Sequence, residues 1–201
     1  MSPRRSAAEA AGTRTAIVER AVEVASTQGL EGLTIGRLAA DMRMSKAGVI
    51  GHFGTKERLQ LAAVQAALDI YRREVWEPAA GAQPGLQRLR AVCDAWISYF
   101  ERDVFPGGCF LTAASCEFDD REGPVRDLVA STMRGWLKTL AREVRTAVER
   151  GELPADTDPA QVAFELNAIA MGANQQIRLF HDRDGLERAR RAMGRGLGGD
   201  Y

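Results

Sequence analysis

The sequence predicts an all-α chain of about nine helices, and three observations support this fold class. Apolar residues recur at the three- and four-residue spacing of a helix face along most of the chain. No segment alternates apolar and polar residues as a half-buried strand does, and no internal repeat is present. Glycine, proline and capping hydroxyl residues recur at intervals typical of helix ends. The expected architecture is a small N-terminal helical unit followed by a larger one.

The N-terminal unit is predicted to hold three helices and the start of a long fourth. The first covers Arg14–Gln28, and Gly29 ends it because glycine readily adopts the left-handed conformation found at helix C-termini. Three further helices each begin at a hydroxyl side chain that can cap them: Thr34 to about Met42, Ser45 to about Phe53, and Thr55 to about Trp76. Residues 1–13 are expected to form a flexible basic arm.

The second unit is predicted to begin after a linker of small residues, Pro78–Pro84. Periodic apolar residues then predict five helices: Leu86–Glu101, Cys109–Phe118, Val125–Arg150, Val162–Phe180 and about Leu186–Leu197. A chain of 201 residues is long enough for a small domain and a larger one. The expected limits are 14–60 for the first domain, whose last helix extends to about 77, and 78–201 for the second.

The composition is that of an ordinary globular protein, with 45% hydrophobic and 27% charged residues. No apolar run approaches the roughly 20 residues that span a bilayer, and no signal-peptide core is visible. We therefore expect no membrane association and a cytoplasmic location. Three cysteines, an odd number, do not predict a disulfide framework. The net charge is zero, but residues 1–60 hold nine basic and six acidic residues, whereas the remainder holds 18 and 21.

The sequence gives little support for an enzyme. No cysteine–histidine cluster has the spacing of a metal site, and the two histidines, His52 and His181, lie far apart. A phosphate-binding glycine motif is also absent. Ser115, Cys116 and Glu117 are adjacent, but no general base accompanies them in the sequence. We therefore expect no catalytic residues, no metal and no cofactor.

Residues 33–56, LTIGRLAADMRMSKAGVIGHFGTK, have the pattern of a helix-turn-helix. In this motif the second helix enters the major groove of DNA with its N-terminal residues first. Gly48 and Gly51 each cost a short helix up to about 1 kcal/mol relative to alanine, and close approach of the backbone to DNA explains that cost. Val49 and Phe53 are spaced four residues apart and should point into the core.

Other side chains of the motif suit contacts to phosphates and base edges. Ser45 can offer its hydroxyl or the amides of its helix to a phosphate, and Lys46 can reach a phosphate or a guanine. Ile50 faces outward and can contact a thymine methyl. The candidate DNA-binding residues are Thr34, Arg43, Ser45, Lys46, Ala47, Gly48, Ile50, Gly51, His52, Thr55 and Lys56. Three arginines near the N-terminus can touch phosphates or the minor groove: Arg4, Arg5 and Arg14.

The first turn of the next helix carries two further cations, Lys56 and Arg58. The helix dipole makes this end positive, so two cations are mildly unfavourable there unless an anion such as a DNA phosphate binds. The alternative is a solvated helix end in which Glu57 offsets one of the charges. Taken alone, the pair does not decide between these two interpretations.

This segment resembles the helix-turn-helix of the TetR family of bacterial regulators. Members typically read T-x-x-x-[IL]-A-x-x-x-x-[VM]-S-x-x-x-[IL]-[YF]-x-[HY]-F-x-[ST]-K-E-x-L. The matching positions here are Thr34, Leu38, Ala39, Met44, Ser45, Val49, His52, Phe53, Thr55, Lys56, Glu57 and Leu59. The match covers about residues 14–67, and it departs from the pattern at Ile50, where the family commonly has an aromatic residue.

The resemblance implies an Ω-shaped homodimer whose N-terminal three-helix units bind a palindromic operator in double-stranded DNA. It further implies that a small-molecule effector of unknown identity binds the C-terminal domain, moves the long fourth helix and releases the DNA. We therefore interpret the chain as a DNA-binding transcriptional repressor with a C-terminal ligand-binding and dimerisation domain. The departure at Ile50 affects which operator sequence is bound rather than DNA binding itself.

The second unit offers candidates for an effector pocket and for a dimer interface. The pocket candidates are aromatic or apolar residues at helix-facing positions and one amide: Trp96, Tyr99, Phe100, Phe110, Trp136, Met171 and Asn174. Such residues more often form an ordinary core. The long helix near residue 170 is apolar on two sides, so burial on both is expected. The stripe assigned to a second copy of the chain is Val162, Leu166, Ile169, Ala173, Ile177 and Phe180.

Two alternatives stand beside the repressor interpretation. A helical small-molecule-binding protein without DNA function would be favoured by Ile50 and by the two glycines of the second helix of the motif. A helical enzyme would need acid and base residues that the sequence does not supply. Binding of a DNA duplex separates the first alternative from the repressor, and turnover of a bound ligand would identify the second.

Overall fold

The computed structural model describes residues 7–199, and all regular secondary structure within them is helical. The helices are α1 (Ala7–Gln28), α2 (Ile35–Asp41), α3 (Lys46–Phe53), α4 (Lys56–Tyr71), α5 (Glu77–Ala80), α6 (Leu86–Glu101), α7 (Phe110–Glu117), α8 (Pro124–Glu149), α9 (Pro159–Leu179) and α10 (Asp184–Gly196). A π-helical turn, Arg72–Trp76, joins α4 to α5 without a break. Counting α4, the π-helical turn and α5 as one, the described residues form nine continuous helices, which confirms the predicted fold class.

Helix α1 begins at Ala7, well before the predicted start at Arg14. The added stretch, AAEAAGT, is rich in alanine, the residue with the highest helix propensity. Glu9 lies in the first turn, where the helix dipole favours a negative charge. The predicted flexible arm is therefore helical from Ala7 onward, and the candidate contacts Arg4 and Arg5 lie outside the described residues.

Two prolines that lie outside the predicted helices are found in first helical turns. Pro78 is in the first turn of α5, and Pro159 is the first residue of α9. Proline is tolerated at Pro159 because its missing N–H has no partner in a first helical turn, whereas Pro78 follows the π-helical turn within a continuous helix. Asp158 caps α9, its Oδ1 accepting a hydrogen bond from the backbone N–H of Ala160 at 2.8 Å. The continuous helix that begins with α4 therefore extends to Ala80, beyond the predicted end at Trp76.

The described residues divide into two compact units. The first, which we call the head, contains the described residues up to Leu68 together with Phe105–Val129. The second contains Asp69–Val104 and the described residues from Ala130 onward. Residues 105–129, placed in the second domain on sequence grounds, thus pack with the N-terminal helices. The functional boundary at Pro78–Pro84 stays a prediction.

The core of the head is built from the helix-turn-helix and the segments on either side of it. Large apolar side chains from each of them are fully buried: Ile17, Leu33, Leu38, Val49 and Leu59. Helix α7 also contacts α1, and the loop before α7 is bonded to it, since the N–H of Gly107 donates to Ser26 Oγ at 2.8 Å.

The second unit is built around contacts of α9 with α6 and α10. Its fully buried side chains include Leu89, Ile97, Leu140, Leu166 and Met193. Between residues 7 and 199, no helix has both the length and the apolar content needed to cross a membrane.

Candidate nucleic-acid interface

Helix α3 has the two ends and the buried anchors that the sequence predicts. Ser45 caps its start, since Ser45 Oγ accepts a hydrogen bond from the backbone N–H of Gly48 at 3.0 Å. Gly54 follows its end with a φ of +75°, a conformation that glycine adopts without strain. Val49 is 0% exposed and Phe53 only 4%, so the predicted inward positions are confirmed. The opposite face of α3 is thereby turned outward.

The outward face of α3 carries small and polar side chains. Lys46, Ala47 and Gly51 are exposed, and Ile50 is 44% exposed, as predicted for this position. A Cβ atom added to Gly51 would have no atom of the described chain within 4 Å. The fold of the head therefore does not itself require glycine at this position, although glycine weakens a helix.

Two more of the predicted contacts lie at the surface, Thr34 at the start of α2 and Arg43 in the turn that precedes α3. Thr34 caps α2, its Oγ1 accepting from the backbone N–H of Arg37 at 3.1 Å. Arg43 is exposed in the turn and has a φ of +53°, in the left-handed region. The backbone N–H of Met44 donates to the carbonyl of Ala39 at 2.8 Å, which closes the turn. The two helices are therefore held at a fixed geometry by hydrogen bonds local to the motif.

Lys56, predicted to meet a phosphate, is bonded within the head. Its Nζ donates to the backbone carbonyl of Glu31 at 2.9 Å and lies 3.1 Å from Glu31 Oε2. Lys56 and then Gln60 hold the pKa of the Glu31 carboxyl below its ordinary value by hydrogen bonding to it. Thr55 caps α4 as predicted, since its Oγ1 accepts from the backbone N–H of Arg58 at 3.2 Å. The Lys56 ammonium is therefore already paired with an acid.

A cleft of about 630 Å³ opens beside the C-terminal end of α3. Arg14 and Arg58 line it together with His52, and none of its lining residues is acidic. The Arg14 guanidinium lies 4.3 Å from the centre of the Phe53 ring, and its Nη1 donates to the carbonyl of His52. The cleft is thus a positively charged extension of the exposed face of α3.

Sequence reasoning placed Arg14 in a basic arm and did not place it at the end of α3. The two residues that Arg14 contacts, His52 and Phe53, lie 38 and 39 positions further along the chain. No local pattern connects positions so far apart, so the contact carries no signal in a single sequence. Arg58 was noted as a cation of the α4 start, but its role in lining a cleft was missed for the same reason.

The second unit brings together four of the seven predicted pocket residues. Trp96 and Trp136 lie edge to face with ring centres 5.3 Å apart, and Tyr71 meets both rings. Tyr99 packs on Tyr71 at 5.6 Å and Phe100 on Tyr99 at 5.3 Å, which completes an aromatic cluster. The indole N–H groups of both tryptophans are buried and have no hydrogen-bond partner among residues 7–199.

The remaining three pocket candidates are placed differently. Phe110 belongs to the head, where its ring lies 5.7 Å from that of Phe105, so it is not part of the aromatic cluster. Met171 and Asn174 are half-buried on α9. The sulfur of Met171 accepts a hydrogen bond from Asn167 at 3.4 Å. Of the pocket candidates, only those on α6 and α8 therefore belong to the aromatic cluster.

The structure corrects the assignment of the two faces of α9. Four residues of the predicted dimer stripe are between 1% and 9% exposed and pack within their own unit: Val162, Leu166, Ala173 and Ile177. Side chains so deeply buried cannot meet a second copy of the chain. Ile169 is half-buried, and only Phe180, at 57%, is exposed. The opposite face presents Phe164 and Leu179, which are 62% and 63% exposed, because α6 and α10 pack on the first face.

Two family models match this chain. The model described as "Bacterial regulatory proteins, tetR family" matches residues 17–63, which contain the helix-turn-helix. The model described as "Tetracyclin repressor-like, C-terminal domain" matches residues 85–193, which is more than half of the chain. Together they span both the predicted DNA-binding helices and most of the second unit.

Individual relatives agree with the family models. The HTH-type transcriptional repressor NemR of Escherichia coli strain K12 is 21% identical over 178 residues, which are 88% of this chain and 89% of NemR. The crystal structure of a TetR transcriptional regulator from Chloroflexus aurantiacus J-10-FL superposes with a TM-score of 0.86 at 28% identity, covering 92% of this chain and 94% of that one. AibR, solved in complex with isovaleryl coenzyme A and operator DNA, shares the fold with a TM-score of 0.72 at 23% identity, over 92% of this chain and 96% of AibR.

Proposed function

The chain belongs to the TetR family of bacterial regulatory proteins, and we propose that it is a homodimeric repressor which a small-molecule effector releases from a palindromic operator. The family is one of DNA-binding transcriptional regulators, and we assign this chain no catalytic role. The observation that carries the proposal is the geometry of α3, a short capped helix with a small, exposed outer face over two buried anchors. Because such a regulator acts on bacterial DNA, we place it in the cytoplasm.

The dimensions of α3 suit the major groove. Its eight residues rise by about 12 Å, which is about the width of the groove in B-form DNA. The outer face carries only small side chains at Ala47, Gly48 and Gly51, so the helix backbone can come close to the base edges. Lys46 and Ile50 are the longest side chains on that face. We assign Lys46 to a guanine or phosphate and Ile50 to a thymine methyl.

Groups that can bind phosphates lie at both ends of α3. The hydroxyl of Ser45 lies at its start, that of Thr34 lies at the start of α2, and at the end of α3 is the cleft with Arg14 and Arg58. A helix that fills the major groove has one phosphate backbone at each end. The carbonyl groups at a helix C-terminus repel phosphate, but here Arg14 donates to one of them, the carbonyl of His52. We therefore keep Arg14 among the proposed phosphate contacts and add Arg58 to them.

The exposed face of α9 supports dimerisation through that helix. Phe164 and Leu179 are large apolar residues left in solvent, with the small Ala168 between them on the same face. Burial of apolar area is the main driving force for association, and large exposed apolar patches mark interaction sites. When this face of α9 packs against the same face of a second copy, the two form a two-fold symmetric interface. Two heads in such a dimer would bind two half-sites of a palindrome.

The aromatic cluster of the second unit supports an effector site. A buried indole N–H that lacks an acceptor is destabilising, so an acceptor supplied by a ligand would be favourable. Trp96 and Trp136 present two such groups among aromatic rings. We propose an aromatic or largely apolar effector that carries a hydrogen-bond acceptor. The AibR complex with isovaleryl coenzyme A and operator DNA supports the idea that this fold can bind both kinds of partner.

The proposal is tested by comparing Lys46→Ala with Lys138→Ala. Both remove one lysine charge, but Lys46 lies on the outer face of α3 and Lys138 is exposed on α8 in the second unit. On a duplex enriched from random sequences, Lys46→Ala should weaken binding by about tenfold, since one base or phosphate contact contributes about 1–3 kcal/mol. Lys138→Ala should bind like the wild type in a mobility-shift titration.

Equal binding by both variants and the wild type would remove the groove assignment of α3. If the wild-type protein itself retains no duplex, the result favours a helical small-molecule-binding protein without DNA function. Circular dichroism of each variant checks that the helices are intact.

A further inference from the structure

The carboxylate of Glu117, the last residue of α7, is bonded to the loop that leaves α1. Its Oε2 accepts the backbone N–H of Leu30 at 2.8 Å and its Oε1 accepts that of Glu31 at 2.7 Å. These partners lie 87 and 86 positions earlier in the chain. A carboxylate that accepts two backbone N–H groups makes charge-assisted hydrogen bonds, which are stronger than neutral ones. Glu117 therefore fixes the backbone of this loop.

The loop is shaped to admit this carboxylate. Gly29 has a φ of +76°, and a Cβ atom added to it would lie 2.8 Å from Glu117 Oε1. Any residue larger than glycine would therefore displace the Glu117 side chain as well as strain the backbone. The chain just before α7 is also attached to α1, because the backbone N–H of Gly107 donates a hydrogen bond to Ser26 Oγ.

The side chain of Glu31 connects this loop to the start of α4. Its Oε2 lies 3.1 Å from Lys56 Nζ, and its Oε1 accepts from Gln60 Nε2 at 3.2 Å. Gln60 Nε2 also donates to the carbonyl of Leu30 at 2.8 Å. Arg121, four residues after Glu117, lies 3.1 Å from Glu31 Oε1 and so adds an ion pair from the same segment. A continuous set of bonds thus runs from α7 through Glu31 to Lys56.

This connection has a consequence for DNA binding. Lys56 is the first residue of α4, beside the capping residue Thr55, and we proposed it as a phosphate contact. An ammonium paired with a carboxylate releases fewer counterions from DNA than a free one, because its charge is already partly neutralised. Glu31 and a DNA phosphate therefore compete for the same cation.

We propose that Glu31 restrains Lys56 and that Glu117 positions Glu31 to do so, so that the 105–129 segment of the head sets DNA affinity through one lysine. The inference rests on the proposed function, since it requires that the head binds DNA. It names a regulation of that site. A displacement of α7 that breaks the Glu117 hydrogen bonds would free the loop, and the Glu31–Lys56 pair would then weaken.

The experiment measures the dependence of DNA affinity on salt for Glu31→Gln, with Glu57→Gln as the matched control. Both changes remove one negative charge near Lys56, but Glu57 forms no ion pair or side-chain hydrogen bond within the described part of the chain. Glu31→Gln should tighten binding by about two- to fivefold, the range expected for one exposed ion pair. It should also steepen the slope of log K against log[salt] by up to about 0.9, the value for one added phosphate contact. Glu57→Gln should leave the slope unchanged.

A second background shows whether the effect passes through Lys56. In Lys56→Ala protein, Glu31→Gln should no longer change the slope, because the restrained cation is absent. If Glu31→Gln changes the slope equally in the wild-type and Lys56→Ala backgrounds, the inference is wrong. Glu117→Gln, which keeps its shape but loses the charge, should shift the slope in the same direction as Glu31→Gln and add nothing in the Glu31→Gln background.

Hydrogen exchange supplies a readout that does not depend on DNA. The amides of Leu30 and Glu31 should exchange faster in Glu117→Gln than in the wild type, whereas unchanged exchange would contradict the positioning role of Glu117. If the wild-type protein binds duplexes and Glu31→Gln has the wild-type slope, the inference about Glu31 fails while the proposed function stands. If the wild-type protein binds no duplex, the proposed function fails and this inference fails with it.

Discussion

Helices α3 and α9 each present a face that the packing of their own unit leaves in solvent, and the two faces differ in chemistry. The face of α3 is short and carries alanine, glycine and one lysine over two buried anchors. The face of α9 carries Phe164 and Leu179, both more than 60% exposed. A low, cationic surface suits a hydrated polyanion, whereas large apolar side chains suit a dry contact with another protein surface. The difference predicts which mutations affect DNA and which affect assembly.

The largest expected effect comes from placing a charge on the exposed face of α9. Phe164→Glu should convert the dimer to monomer, because a carboxylate buried in an apolar interface is strongly destabilising. Affinity for a palindrome should then fall by about 100-fold or more, since the two heads no longer bind as one linked pair. Sedimentation velocity and mobility shift on the same samples measure both effects.

The buried face of α9 provides the contrast. Leu166→Ala should lower the free energy of unfolding by about 2–5 kcal/mol, the usual result of removing a buried leucine side chain, while leaving the variant dimeric below its melting temperature. If Leu166→Ala dissociates the dimer and Phe164→Glu does not, the assignment of the two faces is wrong.

A smaller effect is expected at Gly51, where a larger side chain should raise stability and lower DNA affinity. Gly51→Leu should stabilise the head by up to about 1 kcal/mol, because leucine is the better helix former and no atom of the described chain obstructs its Cβ. The same side chain should block the approach of α3 to the groove and weaken operator binding. Gly135→Leu on α8, where the Cβ is equally unobstructed, should stabilise without affecting DNA. Thermal melts and binding titrations of the two variants test this comparison, and equal DNA affinity in both would contradict it.

The smallest expected effect concerns the pKa of Glu31. Hydrogen bonds from Lys56 and then Gln60 lower this pKa in the folded protein. A carboxyl with a lowered folded-state pKa stabilises the fold above its unfolded-state pKa, and the contribution is lost as the pH falls through the folded value. Lys56→Ala should therefore raise the pKa of Glu31 toward its ordinary value. Glu74 in the second unit, whose pKa is lowered chiefly by Arg102, should titrate unchanged in an NMR experiment on the same sample.

The sequence predicted the helix-turn-helix well because its geometry depends on local chemistry. Ser45 bonds to the amide three residues later, and Val49 and Phe53 share a face because they are four residues apart. Both relations are visible in a single sequence. The TetR resemblance rested on the same spacing, and the family models confirm it.

Features that depend on distant residues were not predictable in this way. Either apolar stripe of α9 could have faced inward, and the choice was made by α6 and α10. The contact of Glu117 with Leu30 joins positions 87 residues apart, and the membership of Phe110 in the head follows from the packing of α7 against α1. In each case the sequence supplies suitable side chains, but the tertiary neighbours decide which of them meet.

The central claim is that α3 reads DNA from a dimer, and selection of random duplexes by the purified full-length chain at moderate salt tests it most directly. The account predicts enrichment of a palindrome with two half-sites, which Lys46→Ala should bind about tenfold more weakly than the wild type. A folded dimer that enriches no sequence would contradict the account.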